Sequence, residues 1–215
     1  MTTRFSLKNK IIIIGSGNAA MSAGIAALEN GSCVTILEKA PEKLSGGNTK
    51  YTAGAMRFCF NGMEDLIPLL QDPNDPRLKN TEFGSYSETQ FANDLLSFND
   101  GQPLSDEQKI LVDQSYDAIK WLASHNIKFE PIFDRQSFKK NGKHVFWGGL
   151  ALSAANEGIG LFEQERDAFL NLGGELFYEK EVTSLSYAEG QVDGVNVGKE
   201  YYAADAVILA CGGFE

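Results

Sequence analysis

Three short apolar runs along the chain each predict a buried β-strand. The first, Lys10–Ile14, is β-branched and precedes a glycine, and the second, Cys33–Glu38, has the sequence CVTILE. The third, Ala206–Ala210, has the sequence AVILA and suits the middle of a parallel sheet. Between the first two, small residues from Asn18 to Glu29 predict a helix that Gly31 ends. Strand, helix and strand together fit a βαβ unit of about 30 residues.

The region from about 62 to 145 has no strong strand pattern and predicts helices and loops. Ser87 and Ser105 each precede a glutamine by three residues, Gln90 and Gln108, which is the capping-box spacing at a helix start. We therefore interpret this region as a mainly helical insertion.

A helix is predicted next over Leu161–Leu172, where Gly173 stops it. Three segments with hairpin spacing follow it, namely Glu175–Lys180, Val182–Tyr187 and Gln191–Val197. Together they predict a small antiparallel sheet that precedes the last apolar strand.

Composition then narrows the class of protein. The 215 residues are 43% hydrophobic and 22% charged, which suits a folded domain. A net charge of −10 argues against a nucleic-acid surface, and no apolar run approaches the ~20 residues of a membrane span. Cys33, Cys59 and Cys211 have neither zinc nor disulfide spacing. We expect core thiols in a reducing compartment, a cytoplasmic protein and no metal site.

The turn after the first strand carries the chemistry that the sequence shows most clearly. In Gly15-x-Gly17-x-x-Ala20, the first glycine permits a tight turn, the second lets a pyrophosphate approach, and alanine lets the helix pack closely. The free N–H groups of the helix start attract an anion. Glu38 ends the second strand, where it could accept hydrogen bonds from ribose hydroxyls. These residues predict a dinucleotide site but leave FAD and NAD open, and a turn without a ligand is the alternative.

The rest of the chain favours FAD. A glycine loop, a helical insertion and an antiparallel patch precede the next buried strand, an order that is typical of FAD domains. SGGNTKYTAGAMRF (Ser45–Phe58) and AVILACGGFE (Ala206–Glu215) resemble motifs of the fumarate reductase and succinate dehydrogenase flavoprotein superfamily. YTAGAMRF, GMEDL, AIKWL and FWGGLAL most resemble the tricarballylate dehydrogenases within it.

The resemblance implies an α/β fold: a Rossmann-like FAD-binding domain with a parallel sheet, helices and a small antiparallel β-meander. It implies that residues 1–215 are the N-terminal part of this domain, incomplete at the C-terminus, with the insertion at about 62–145 and no capping domain. Residues that would bind FAD run from the pyrophosphate turn through the glycine loop to the adenosine side: Gly15, Gly17, Asn18, Ala19, Ala20, Glu38, Lys39, Ser45, Gly46, Gly47, Asn48, Thr49, Ala53, Gly54, Val182, Ala210, Cys211 and Gly212.

Asn48 stands where membrane-bound members of the superfamily tether flavin to a histidine, so the resemblance implies non-covalent FAD. The implied reaction moves a hydride between a C–C bond of a small di- or tricarboxylic acid and flavin N5, with an unknown electron acceptor. The main acid–base residues would follow Glu215, so we expect the isolated chain to be inactive.

Other candidates near the chemistry are few. Arg57 could bind a substrate carboxylate, and a structural arginine is the alternative. Trp147 could line the site, and His125 and His144 have no catalytic partners in the sequence pattern. Alternative functions are a fumarate reductase-like, 3-ketosteroid dehydrogenase-like or NAD-dependent enzyme, and an inactive nucleotide-binding fragment.

Overall fold

The computed structural model describes residues 9–213, so the end of the last motif, Phe214–Glu215, lies outside the described residues. In chain order the strands are β1 Lys10–Ile14, β2 Cys33–Leu37, β3 Ala55–Met56, β4 Thr81–Glu82, β5 Phe129–Pro131, β6 Ser137–Lys140, β7 Lys143–Phe146, β8 Leu152–Ala154, β9 Glu175–Phe177, β10 Ser184–Ala188, β11 Gln191–Val197, β12 Glu200–Ala203 and β13 Ala206–Leu209.

The α-helices are α1 Asn18–Glu29, α2 Met63–Leu66, α3 Glu88–Leu96, α4 Asp106–Ser124, α5 Phe133–Gln136 and α6 Glu157–Asn171. Short 3-10 turns occupy Glu42–Leu44, Gly47–Tyr51, Ile67–Leu69 and Pro76–Asn80. The chain forms two compact units, which we call unit 1 (residues 9–52 and 161–213) and unit 2 (residues 53–160).

Unit 1 is built on a four-stranded parallel sheet with the order β13-β1-β2-β9. The β-branched run of β1 lies between two strands, with Ile12 paired to Val207 on one side and to Thr35 on the other. Side chains alternate between the two faces of the sheet. Ile12 packs in a cluster with Val195 of the antiparallel sheet, whereas Ile13 lies beneath Gly24 of α1. This confirms the predicted α/β fold with a separate small antiparallel sheet.

Two strand assignments in unit 1 need correction. β9, at the start of the predicted Glu175–Lys180 segment, pairs in parallel with β2, so it belongs to the main sheet. The antiparallel sheet is instead β10-β11-β12, and β12 was not predicted. The connection explains the parallel pairing, because β9 follows helix α6 and a helical crossover returns the chain in the parallel direction. Phe169 of α6 lies against Gly24 of α1.

The third apolar run forms β13, a parallel strand of the main sheet as predicted. Among the described residues it pairs on one side only, with β1. Leu209 is 65% exposed, as expected for an apolar strand without a second neighbour.

Unit 2 contains helices α2 to α5 and two three-stranded sheets, β3-β8-β5 and β4-β7-β6. Both predicted capping boxes are present: Ser87 and Ser105 accept hydrogen bonds from the backbone N–H groups of Gln90 and Gln108. The strands β4 to β7 were not predicted, so the 62–145 region is less helical than the sequence indicated.

The cysteine expectation was wrong for two of three residues, because Cys33 and Cys211 are exposed and Cys59 is only partly buried. Across residues 9–213, no helix has the length and apolarity that a membrane crossing requires. The same range holds no group of three or more His, Cys, Asp or Glu side chains arranged to bind a metal ion.

Candidate functional site

A cleft of about 490 Å³ lies in unit 1 where strands β13, β1 and β2 end. Because the strands are parallel, their carboxyl ends meet at one edge of the sheet, which is where open α/β sheets bind ligands. The cleft is lined by Ile14, Gly15, Ser16, Gly17, Asn18, Ala19, Leu37, Glu38, Lys39, Gly47, Asn48, Thr49, Lys180, Glu181, Val182, Ala210, Cys211, Gly212 and Gly213. Its volume falls in the usual range of ligand pockets.

The turn after β1 requires glycine at its first position. Gly15 has φ +98°, and a Cβ there would lie 2.4 Å from the carbonyl oxygen of Ala210. Its N–H donates to Leu37 O at 2.9 Å, and the N–H of Ala210 donates to Ile14 O at 2.9 Å. These bonds hold the ends of β13, β1 and β2 together at the floor of the cleft.

The start of α1 offers backbone donors to the cleft. Gly17 is the N-cap residue and supplies no side-chain cap, and no acidic residue occupies the first turn. The first intrahelical bond runs from Met21 N to Gly17 O, and Asn18 N donates to Thr49 Oγ1 at 3.0 Å. The N–H groups of Ala19 and Ala20 therefore precede the hydrogen-bond ladder of the helix, and Ala19 lines the cleft, where an anion can accept its N–H.

Glu38 is fixed at the end of β2 by two donors. Ser16 Oγ donates to Glu38 Oε2 at 2.5 Å, and Ala40 N donates to Glu38 Oε1 at 2.7 Å. The hydroxyl of Ser16 also accepts from Gly46 N at 3.1 Å, so it joins the phosphate turn to the glycine loop. Glu38 as a residue is 7% exposed. It retains lone pairs that can accept further hydrogen bonds, as a ribose diol would require.

The glycine loop divides into a supporting part and a cleft-lining part. A Cβ at Gly46 would lie 2.9 Å from the Phe162 ring, so this glycine permits close packing on α6. Ser45 is buried, and its hydroxyl donates to Glu42 O at 2.7 Å. Gly47, with φ +52°, has nothing within 4 Å of its missing Cβ and lines the cleft.

The other wall of the cleft contains a cation that the sequence did not single out. Lys180 Nζ forms an ion pair with Glu200 Oε2 at 2.7 Å, and this hydrogen bond, followed by that of Tyr202, raises the pKa of Lys180. Val182 lines the same wall, and Cys211 lies exposed on the β13 side, which explains why it is not a core thiol.

Most of the predicted cofactor residues line the cleft. Ala20, Ser45 and Gly46 are buried and do not line it, and Ala53 and Gly54 belong to unit 2. The lining residues that the sequence analysis missed are Ile14, Ser16, Leu37, Lys180, Glu181 and Gly213. Of these, only Ser16 had a visible signal, a hydroxyl between two glycines of the turn.

These features fit a dinucleotide. A Cβ at Gly15 would close the turn, the helix start offers free donors to a pyrophosphate, and Glu38 is a buried acceptor for hydroxyl groups. Whether each residue contacts the cofactor stays a prediction.

Arg57 is an exposed residue of unit 2 with two oxygen partners. Its Nη1 donates to Tyr86 Oη and to Asp94 Oδ2, each at 3.0 Å, and Tyr86 Oη donates to Asp94 Oδ2 at 2.6 Å. Burial and the Asp94 hydrogen bond raise the pKa of Tyr86 to about 12. The guanidinium thus has an internal carboxylate, as a structural arginine would, and its role toward a substrate stays a prediction.

The remaining candidates of unit 2 have local partners. Nδ1 of His125 lies 2.8 Å from Trp121 O, and Nδ1 of His144 lies 3.2 Å from Ser137 Oγ. Trp147 is 50% exposed. Neither histidine is part of an acid–base constellation among the described contacts.

Comparison with known proteins gives consistent results. The family described as "FAD binding domain" matches residues 10–215. A fumarate reductase (cytochrome) from Shewanella frigidimarina is 27% identical over 214 residues, which is 95% of this chain and 33% of that protein. The chain thus spans about a third of the length of the curated relatives it matches.

Solved structures share the fold. The open conformation of a flavocytochrome c3 fumarate reductase is 23% identical, with a TM-score of 0.65 over 97% of this chain and 34% of that one. A 3-ketosteroid-Δ4-(5α)-dehydrogenase from Rhodococcus jostii RHA1 is 20% identical, with a TM-score of 0.67 over 100% of this chain and 48% of that one. The predicted cofactor class and fold class are confirmed.

Proposed function

Because this chain belongs to the FAD-binding domain family, we propose that it is the FAD-binding portion of a flavin-dependent oxidoreductase acting on a C–C bond of a small carboxylic acid. Bound FAD supplies the hydride chemistry. The residues of this chain hold and orient the cofactor, and the same proposal includes a cytoplasmic location.

One observation carries the proposal: the cleft joins an anion-binding helix start to a buried carboxylate. Ala19, at the start of α1, lines the cleft with a backbone N–H that suits a pyrophosphate, and Glu38 is held by Ser16 at the end of the neighbouring strand. In dinucleotide-binding α/β domains, the pyrophosphate binds at the helix start and the ribose hydroxyls bind an acid at the end of the neighbouring strand.

The substrate class rests on the motifs and on the relatives. The Shewanella relative is named a fumarate reductase, and the YTAGAMRF and FWGGLAL motifs favour a tricarballylate-like substrate. Arg57 supports a carboxylic acid because a guanidinium binds carboxylates through two parallel hydrogen bonds. Release of its bond to Asp94 would be required for that role.

The cofactor is tested by purifying the protein with FAD and precipitating it with acid. We expect a flavin absorbance spectrum before precipitation and all flavin in the clear supernatant afterwards, because Asn48 cannot form the tether of a histidine. Excess NAD should not displace the flavin. A yellow pellet would contradict non-covalent binding, and the lack of any flavin spectrum would contradict the cofactor.

The substrate is tested on the full-length protein under anaerobic conditions. Bleaching of the flavin by tricarballylate, or reoxidation of dithionite-reduced flavin by fumarate, would support a carboxylic-acid substrate. Bleaching by a 3-ketosteroid alone would overturn that class and favour the steroid alternative, whose fold the chain shares.

A further inference from the structure

Glu165 is a buried carboxyl group that the cofactor cleft does not use directly. It lies on α6, in unit 1, and is 0% exposed. Its Oε1 lies 3.2 Å from Ser22 Oγ of α1, and its Oε2 has no hydrogen-bond partner among the described residues. A buried ionised carboxylate with one weak partner is strongly disfavoured.

Within residues 9–213, no cation forms an ion pair with Glu165. Between Asn18 and Glu29, α1 has no charged residue other than Glu29 itself. Lys50 and Arg166 lie over the Phe162 ring at 5.9 and 5.8 Å from its centroid. Glu163 and Asp167 on α6 are exposed acids. Burial therefore dominates and raises the pKa of Glu165 to about 8, against a smaller lowering by Ser22.

The count of hydrogens at Ser22 agrees with a neutral acid. Ser22 Oγ lies 3.2 Å from Glu165 Oε1 and 3.3 Å from Asn18 Oδ1, and one hydroxyl hydrogen cannot serve both oxygens. A protonated Glu165 can donate to Ser22, which is then free to donate to Asn18. An ionised Glu165 would take the Ser22 hydrogen and leave the Asn18 oxygen without a donor.

Asn18 connects the hydrogen bonds of Ser22 and Glu165 to the cleft. It is the first residue of α1, it lines the cleft, and its N–H donates to Thr49 Oγ1. An asparagine side chain has one oxygen acceptor and two N–H donors. A hydrogen bond to Oδ1 fixes the plane of the amide and therefore the direction of its two donors.

We propose that Glu165, as a neutral acid, is a positioning residue for the dinucleotide cleft: through Ser22 it fixes the Asn18 side chain at the start of α1. The inference rests on the proposed FAD function. We call the hydrogen-bond chain from Glu165 through Ser22 to Asn18 the relay. Ionisation of Glu165 disrupts the relay and places a negative charge behind the helix start that receives the pyrophosphate. FAD affinity should therefore fall as the pH rises past the value at which Glu165 ionises.

The test is the dissociation constant of FAD between pH 6.5 and 9, with free FAD separated by ultrafiltration and measured after return to pH 7. We expect binding to wild-type protein to weaken about tenfold over this range, because like charges repel in a poorly screened interior. Glu165→Gln keeps the shape and an N–H donor but cannot ionise, so its affinity should stay constant.

Matched variants separate the relay from other effects. Glu163→Gln makes the same change at an exposed position on the same helix, and it should keep the wild-type pH dependence. Ser22→Ala removes the relay and should weaken FAD binding already at pH 6.5. The exposed Cys211 thiol is present in every protein compared, so a difference between wild type and Glu165→Gln belongs to Glu165.

Unfolding by urea without FAD provides a second measurement. Because the pKa of Glu165 in the folded state lies above its ordinary value of 4.5, the folded protein keeps a proton that the unfolded chain loses. Wild-type stability should thus fall between about pH 5 and 8 relative to Glu165→Gln, and the difference should level off above pH 8.

The outcomes distinguish the two levels of the proposal. Constant wild-type affinity, an equal pH dependence in Glu165→Gln, or full affinity in Ser22→Ala would overturn the positioning role alone. Failure of the folded protein to bind FAD at pH 6.5 would overturn the proposed function. An unfolding difference that does not change with pH would contradict a neutral buried acid, whether or not FAD binds.

Discussion

The turn after β1 in unit 1 and the cluster around Phe58 in unit 2 are packed by different kinds of residues. Unit 1 uses aliphatic strands such as β1, small residues on α1, and glycines that bring backbone segments together. Unit 2 uses aromatic side chains: the Phe58 ring lies 5.8 Å from Phe60 and 6.3 Å from Tyr116, between centroids. Its helices α3 and α4 each begin with a complete capping box.

This difference follows from the cleft of unit 1 and the closeness with which its backbone must approach a ligand. The cleft of unit 1 is made largely of backbone atoms, and a backbone can approach a ligand closely only where side chains are absent, as at Gly15. The interior of unit 2 includes a cluster of large aromatic side chains around Phe58. The turn after β1 in unit 1 should therefore be sensitive to added atoms, and the aromatic cluster of unit 2 to removed ones.

The largest effect is expected from removing an aromatic ring in unit 2. Phe58 is 0% exposed, so Phe58→Ala should lower the free energy of unfolding by about 3–5 kcal/mol, because it removes apolar contacts and leaves a cavity. Urea unfolding measures this loss. Phe98 is 85% exposed, and Phe98→Ala should change stability by less than about 0.5 kcal/mol. Equal effects of the two variants would contradict an aromatic core around Phe58.

A single added methyl group should have the next largest effect, in unit 1. Gly15→Ala forces a left-handed backbone on alanine and a clash with Ala210 O, and should cost roughly 2–5 kcal/mol. We also expect loss of measurable FAD binding, because the turn must shift.

Gly31 supplies the matched control for this change. It has φ +82°, but nothing lies within 4 Å of its missing Cβ. Gly31→Ala should therefore cost only the backbone strain, roughly 1 kcal/mol, and leave FAD affinity unchanged. If both variants lose FAD binding to the same degree, close packing at Gly15 is not what shapes the cleft.

The same contrast decides how much of the fold the sequence predicts. In unit 1, the bounds predicted for β1 and α1 are those observed, because a β-branched run, a glycine turn and a small-residue helix are local signals. The partner of β9 could not be predicted locally, because strand pairing depends on the path of the preceding helix. The buried state of Glu165 is equally invisible, since an acid on an amphipathic helix is usually solvated.

In unit 2, most strands were missed because they are short and pair over long distances. β5, for example, is three residues long and pairs with β8. The β6–β7 hairpin is different, since Asn141 and Gly142 both have positive φ and form the turn that an Asn-Gly pair favours. That signal was present in the sequence.

The sequence predicted the residues that line the cleft better than the tertiary contacts that hold them in place. The glycines of the turn, Glu38 and the Asn48–Thr49 pair all line it. Lys180 was missed because its position depends on a tertiary contact, to Glu200. The glycines of the turn and the acid at the end of β2 belong to a local sequence pattern, whereas a side chain placed by a partner elsewhere in the chain does not.

The smallest expected effect concerns a helix cap in unit 2. Ser105 Oγ accepts from Gln108 N at 3.2 Å, and the Gln108 side chain accepts from Ser105 N at 3.0 Å. Ser105→Ala should lower the free energy of unfolding by about 1 kcal/mol, because it leaves a donor at the start of α4 without its acceptor. Ser105→Asn retains a capping oxygen and should restore most of the stability.

Because the change lies in unit 2 and outside the cleft residues of unit 1, FAD affinity should not change. A loss of FAD affinity in the Ala variant that the Asn variant restores would show that the cap of α4 and the cofactor cleft are coupled, and the contrast between the two units would then fail.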